Sequence, residues 1–341
     1  SPRRGNSLNS LTYASVGYAS VGTKSATFHA PGEEPTVTLT TSTHIPTATD
    51  SRPTATSRVE LDGVSLAYSD TGGSTIPLLM VHGVGSSTAT WGSLPAELAA
   101  AGQRVICVDL IGHGESRGGN GDFSLGANAS TLRDLLDALG IQQVHIVGHS
   151  FGGGVSMQFS YQFPERVRSV VLISSGGLGT DVHFGLRAAS LPGSEWVLRQ
   201  AVHPRVLRLL DLGAEALGTV GLRHRGVSSH TVTKMRQLQD AYRLGGFVST
   251  VRSVVGPEGQ RVQALDKLQR LQGERVTIMW GDADAMVPME HGQRAHELLP
   301  GSRFVQVVDA GHHPHDDAPD RVMLELLRHI KVVDALDHSS A

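Results

Sequence analysis

The sequence predicts an α/β protein: a mostly parallel, doubly wound sheet with a helical cap inserted into it. Three observations carry that expectation. Short runs that are apolar at almost every position recur, at Pro77–Val81, Arg104–Asp109, Val144–Val147, Val170–Ile173, Val276–Trp280 and Phe304–Val308. Strands that are apolar on both faces belong to a parallel sheet covered on both sides. Helical periodicities separate these runs, at Thr90–Ala101, Leu125–Leu139, Phe151–Phe163, Met289–Leu299 and Pro319–Ile330, so strand and helix alternate. Between about Leu178 and Gln272 the alternation lapses into helical patterns alone, which places an insertion between two core strands.

Residues 1–57 hold 21 Ser or Thr and few large aliphatic residues. Too little apolar surface is available there to offset the entropy of ordering, so a disordered extension is expected. Arg3, Arg4 and Lys24 precede the first acid, Glu33, as in an organelle transit peptide, although a plain disordered leader is the preferred reading. Val59–Leu61 and Val64–Tyr68, split by Asp62-Gly63, predict a β-hairpin with a two-residue turn. The α/β core is expected over 58–177 and 273–332, the cap over 178–272 and a short tail over 333–341. The cap interval has 13 Lys or Arg against 7 Asp or Glu, so it holds +6 and, with −3 for the whole chain, the rest holds −9. A solvated helix face is preferred over an anion-attracting mouth as the account of that charge.

Composition excludes several function classes. The 341 residues carry a formal net charge of −3, which gives no electrostatic ground for a nucleic-acid or anionic-membrane partner. A single cysteine, Cys107, precludes an intrachain disulfide, a Cys-based zinc site and a CxxC redox motif, and leaves the redox compartment open. No apolar run reaches the 18 residues of a membrane span and the first residues lack the apolar core of a secretory signal. A soluble, cytoplasmic protein without stable membrane insertion is therefore expected.

The stretch Val144–Gly154 carries the first chemical signal. A buried strand runs into Gly148-His149-Ser150-Phe151-Gly152, which fits G-x-S-x-G, and a helical pattern follows at once. The glycines are needed because the serine occupies a strained turn in which neighbouring side chains would clash. Such a turn lifts the hydroxyl off the sheet edge beside a helix N-terminus, whose N–H groups stabilise developing negative charge.

A serine hydroxyl needs a base to take its proton, and the base needs an acid to orient it, in the chain order Ser, Asp, His. Gly281-Asp-Ala-Asp284 follows one core strand and Asp309-Ala-Gly-His312 follows the next. Loops at the carboxyl ends of parallel strands are where an open α/β sheet presents its ligand site. His312 is preferred over His313 and His315 because it directly follows Gly311, while residue chemistry does not separate Asp282 from Asp284. His82-Gly83-Val84-Gly85 ends the first core strand with flexible backbone, which makes the N–H groups of Val84 and Phe151 the candidate oxyanion hole.

With these motifs in register, the chain resembles the α/β-hydrolase superfamily, in its capped branch of esterases, lipases and carbon–carbon bond hydrolases, over about Val59–Ile330. The resemblance rests on His82-Gly83, Asp109-Leu-Ile-Gly-His-Gly-Glu-Ser116, Gly148–Gly152, Gly281-x-x-Asp284 with Pro288, and Gly311-His312 with Asp317 and Pro319. It implies that Asp284, three residues after the glycine, is the acid, and that Asp109 and His113 are structural. It implies a serine hydrolase with Ser150, Asp284 and His312 as its triad, acting on a small-molecule ester or activated acyl compound through an acyl-enzyme, without cofactor or metal.

Departures from the family pattern narrow the chemistry. Epoxide hydrolases and haloalkane dehalogenases on this fold use an Asp nucleophile, which Ser150 excludes. Hydrolases of aromatic ring-fission products typically have Asn before the serine and Trp after the histidine, where this chain has His149 and His313. Carbon–carbon cleavage therefore ranks below ester hydrolysis, and a non-catalytic ligand binder of the same fold is the reading from a different class. His313, His315 and Asp316 could be drawn as a metal site, and His224 and His230 as a second cluster, but surface solvation is preferred. Trp91 and Trp196 are read as packed aromatics, and Arg187 as a surface pair rather than a carboxylate anchor.

Overall fold

The computed structural model describes residues 56–118, 121–208, 236 and 238–338. Most of the expected N-terminal extension, the middle of the expected cap, and His224 and His230 lie outside them. Ser57–Leu61 (β1) and Val64–Asp70 (β2) form the antiparallel hairpin that the sequence predicts. Asp62 and Gly63 between them both have positive φ, 24° and 82°, as a two-residue turn matched to the strand twist requires.

The remaining core elements follow in alternation. They are Leu78–Val81 (β3), Leu94–Ala100 (α1), Val105–Val108 (β4), Arg117–Gly118 (β5), Leu125–Ala138 (α2), Val144–His149 (β6), Phe151–Gln162 (α3) and Val167–Ile173 (β7). An insertion comes next, with helices Phe184–Ala189 (α4), Ser194–Ala201 (α5) and Ala241–Val254 (α6) and a small hairpin, Val255–Gly256 (β8) with Gly259–Gln260 (β9). The helical pattern did not disclose that hairpin, whose strands are two residues each. The chain then returns through Val276–Gly281 (β10), Met289–Leu298 (α7), Arg303–Val307 (β11), Pro314–Asp317 (α8) and Pro319–His338 (α9).

The sheet order is β1-β2-β4-β3-β6-β7-β10-β11, with β5 paired to β2. Every pairing from β4 to β11 is parallel, and only β1, β2 and β5 run against their neighbours. Alternate residues of one strand enter different cores, which explains runs that are apolar at every position. Leu79 and Val81 of β3 join Leu132 and Leu135 of α2 and Val155 and Phe159 of α3. Leu78 and Met80 join Leu94 and Leu98 of α1 and Val322 and Leu326 of α9.

Two boundaries differ from the sequence reading. Thr90–Ala101 is a short 3-10 turn at Thr88–Trp91 followed by α1, because Gly92 at φ 53° interrupts and Pro95 opens a new helix. The tail expected over 333–341 is helical as far as His338, because Leu326, His329, Ile330 and Val333 continue one buried stripe. Asp337 anchors the last turn by pairing with Arg168 and Arg275. No described helix is long and apolar enough to cross a membrane.

Candidate active site

The strand–turn–helix joint between β6 and α3 places Ser150 at φ 53° and ψ −119°, a conformation that costs a non-glycine residue of order 1–3 kcal/mol. Its surroundings hold it there. Ser150 N–H donates to Ile173 O at 3.0 Å, and Ser150 O accepts from Gly176 N–H at 2.9 Å. The flanking glycines are obligatory for packing. A Cβ on Gly152 would collide with the carbonyl oxygens of Val81 and His82, and one on Gly148 with Gly152 O and Ser156 Oγ. Ser150 itself is 8% exposed.

The loops after β10 and β11 converge on that hydroxyl. His312 Nε2 lies 3.0 Å from Ser150 Oγ, and His312 Nδ1 lies 2.9 Å from Asp284 Oδ2. Asp284 Oδ1 accepts the N–H groups of Met286 and Val287 at 2.8 and 3.0 Å, and its side chain has no exposed surface. With one oxygen fixed by two backbone donors, the other is aimed at the imidazole, which must then carry its proton on Nδ1 and present a bare Nε2 to the serine. Asp282 is exposed, and its carboxylate accepts only from Gln306 Nε2 among the described contacts, at 3.2 Å. The two loops are tied by Ala283 N–H to Ala310 O at 2.9 Å, and Asp317 Oδ2 takes Gly311 N–H at 2.8 Å.

The end of β3 supplies the third part. A Cβ on Gly83 would lie 3.0 Å from Ser150 Cβ, so His82-Gly83-Val84 runs directly beside the elbow. His82 is fully buried between an acceptor and a donor: Nδ1 meets Gly83 O at 2.8 Å and Nε2 accepts Leu110 N–H at 3.0 Å. Burial pushes its pKa down to about 4, so the neutral ring splints the loop. Phe151 is the first residue of α3, where an N–H has no acceptor within the helix.

Several residues occupy places that differ from the sequence reading. His315 is 2% exposed rather than solvated, with Nε2 3.3 Å from Thr90 Oγ1 and its ring 4.6 Å from that of Trp91. Trp91 is packed, whereas Trp196 is 69% exposed and not the packed aromatic expected. Arg187 is exposed and donates from Nε to Pro257 O at 2.7 Å, and among the described residues it makes this carbonyl contact in place of the expected ion pair. Asp109 accepts Thr88 N–H at 2.6 Å and Glu115 N–H at 2.7 Å, and His113 Nδ1 bonds Ile111 O at 2.9 Å, so both build the loop after β4. Among the described residues no three His, Cys, Asp or Glu side chains gather as a metal site requires. The sequence reading assigned no role to His82 or His149. His82 enters the sequence reading only with Gly83 as part of a family motif, and His149 only as a departure from the Asn typical of ring-fission hydrolases.

A family profile described as alpha/beta hydrolase fold matches residues 76–319. The chain is 36% identical over 275 residues, 79% of each chain, to the uncharacterized protein Rv2715 of Mycobacterium tuberculosis. It is 26% identical to a 2-hydroxy-6-oxo-6-phenylhexa-2,4-dienoate hydrolase of Burkholderia cepacia, over 73% of this chain and 87% of that one. Among solved structures, the esterase RhEst1 of Rhodococcus sp. ECU1013 superposes with a TM-score of 0.59 at 28% identity, covering 80% of this chain and 97% of that one.

Proposed function

The chain belongs to the α/β-hydrolase fold family, and from that membership we propose that it is a serine hydrolase of carboxylic esters working through an acyl-enzyme. The observation that carries this reading is the continuous hydrogen-bonded line from Ser150 through His312 to Asp284. Ser150 Oγ attacks the acyl carbon as its proton passes to His312 Nε2. Asp284 holds the imidazole and stabilises the imidazolium that results. The N–H groups of Val84 and Phe151 receive the oxyanion, each donor contributing on the order of 2.7–4 kcal/mol to the transition state. Collapse of the tetrahedral adduct breaks the ester C–O bond, and His312 returns the proton to the leaving alkoxide. Water, deprotonated by His312, then attacks the acyl-enzyme and releases acid and free Ser150.

Residues 178–272 serve in this reading as the cap, and the packing around Val84 indicates an apolar acyl group. Val84 packs with Val182, Leu186 and Phe247 against the buried Ala189 and Val251 of the insertion. Carbon–carbon cleavage is the second reading, favoured by the likeness to the Burkholderia cepacia hydrolase. A dienoate substrate carries a carboxylate that calls for a cationic anchor. Esters stand first because the chain has His149 and His313 where hydrolases of ring-fission products typically have Asn and Trp.

The test is hydrolysis of p-nitrophenyl esters from acetate to palmitate by the intact chain and by Ser150→Ala. Turnover on at least one chain length, lost in the variant while the far-UV spectrum is unchanged, is the expected result. Undiminished turnover by Ser150→Ala overturns the assignment. Silence across the series with folded protein moves the reading to a dienoate ketone substrate, or to a binder without catalysis.

A further inference from the structure

We infer that His149 is a positioning residue that couples the nucleophile elbow to the backbone of His312 and so sets the Ser150–His312 geometry. The inference rests on the hydrolase reading above and deepens it. The ring is 1% exposed, and Nε2 lies 2.7 Å from the carbonyl oxygen of His312. A carbonyl only accepts, so Nε2 carries the proton. The other nitrogen, Nδ1, is buried with no hydrogen-bond partner among the described residues, and a Cβ on Gly83 would lie 3.1 Å from it. One side chain therefore spans the oxyanion loop, the elbow and the histidine loop.

That bond is made at His312 itself. Besides the side-chain bond from His312 Nδ1 to Asp284, the backbone ties of the histidine loop among the described contacts act on its neighbours, through Gly311 N–H to Asp317, Ala310 O to Ala283 N–H, and His313 O to the N–H groups of Asp316 and Asp317. Because His149 directly precedes Ser150, whose own backbone is pinned to Ile173 and Gly176, its ring has little freedom to follow a drifting loop. The titratable groups facing the ring are His315, His313 and His312, with ring centroids 4.6, 4.8 and 5.0 Å away. Burial first, and then these three rings, hold its pKa well below the ordinary histidine value. A neutral His149 suits the reaction, since a second positive charge 5.0 Å from His312 would oppose formation of the imidazolium.

The test compares His149→Phe, which keeps a ring but removes the donor, with His149→Gln, whose amide nitrogen reaches about as far as Nε2. Two readouts are taken at several pH values: the second-order rate at which a fluorophosphonate probe labels Ser150, and kcat and KM on the best p-nitrophenyl ester. Melting temperatures are recorded alongside. His149→Phe should lower the labelling rate and kcat by roughly 10- to 100-fold with KM within about twofold. His149→Gln should recover most of that loss. Should His149→Phe fail to fold, the smaller His149→Leu takes its place in the same comparison. Labelling of the donor-less variant at the wild-type rate, or no recovery in a folded His149→Gln, overturns the inference while leaving the hydrolase reading intact. Absence of Ser150 labelling in the wild type overturns the hydrolase reading and the inference with it.

Discussion

Asp282 and Asp284 share one chemistry and one loop, and their surroundings alone give them different capacities. Asp284 is shut away from water with one oxygen held by two backbone donors and the other 2.9 Å from His312 Nδ1. Asp282 stands in solvent against Gln306. Asp284→Asn should therefore lower kcat by about 10³–10⁴-fold, because a neutral amide neither fixes the Nδ1–H tautomer nor stabilises an imidazolium. Asp282→Asn should change kcat by less than about twofold, as expected of an exposed charge. Steady-state kinetics of both variants on one ester decides the matter, and similar losses in the two would mean that the acid is wrongly assigned. The same contrast marks what was legible at this scale. Motif spacing picks Ser150 and His312 from the residues alone, and the glycine three positions earlier singles out Asp284 only through the family likeness. The bond from His149 to His312 spans 163 positions, and no local pattern encodes it.

Among the described elements of the insertion, α6 is bound directly to the core. Gly246 packs backbone to backbone on Gly112, Tyr242 Oη donates to Gly118 O at 2.7 Å, and Arg243 pairs with Glu115. A Cβ on Gly246 would collide with the carbonyl oxygen of Gly112, which has no flexible end to move aside. Phe247, the next residue, sits where a Cβ on Gly85 would come within 3.0 Å of its ring, so moving α6 moves the apolar wall beside Val84. Gly246→Ala should accordingly raise KM for long-chain esters several-fold. Gly245→Ala, whose Cβ meets nothing within 4 Å, should leave KM unchanged and add up to about 1 kcal/mol of helix stability. Equal KM values for the two variants would dissociate α6 from the substrate wall. Such contacts between backbones are invisible in a sequence, whereas strands buried on both faces announce themselves by unbroken apolar runs. Boundaries were less legible where the local signal is weak. The break at Gly92 hides inside a helical period, and α9 passes Ile330 because one buried valine, Val333, prolongs its stripe.

Folding of the whole chain removes several histidines from water while leaving them uncharged, and this sets how its stability responds to acid. Burial pushes the pKa of His82 and His145 down to about 4, and that of His113 and His329 down to about 3. His145 and His329 share one buried line, in which His145 Nδ1 and His329 Nε2 each lie 2.7 Å from Ser169 Oγ, and His329 Nδ1 lies 2.8 Å from Thr277 Oγ1. In the unfolded chain the same side chains titrate near the ordinary value of about 6.5. Between that value and about 4, the unfolded state binds protons that the folded state refuses, so stability falls as pH falls through this window and levels off below the folded pKa values. Each histidine contributes at most about 1.4 kcal/mol per pH unit, so these four contribute at most about 5.5 kcal/mol per unit, and His149, held low by the same burial, acts in the same direction. Urea unfolding at pH 8.5, 7.5, 5.5 and 4.5 should show a plateau at the two higher values and a steep loss at the two lower ones, with uptake of several protons on unfolding at pH 5. His329→Leu should flatten the loss by removing one of those protons, whatever its effect on stability at pH 7.5. A stability unchanged from pH 7.5 to 4.5 would contradict neutral burial of these rings.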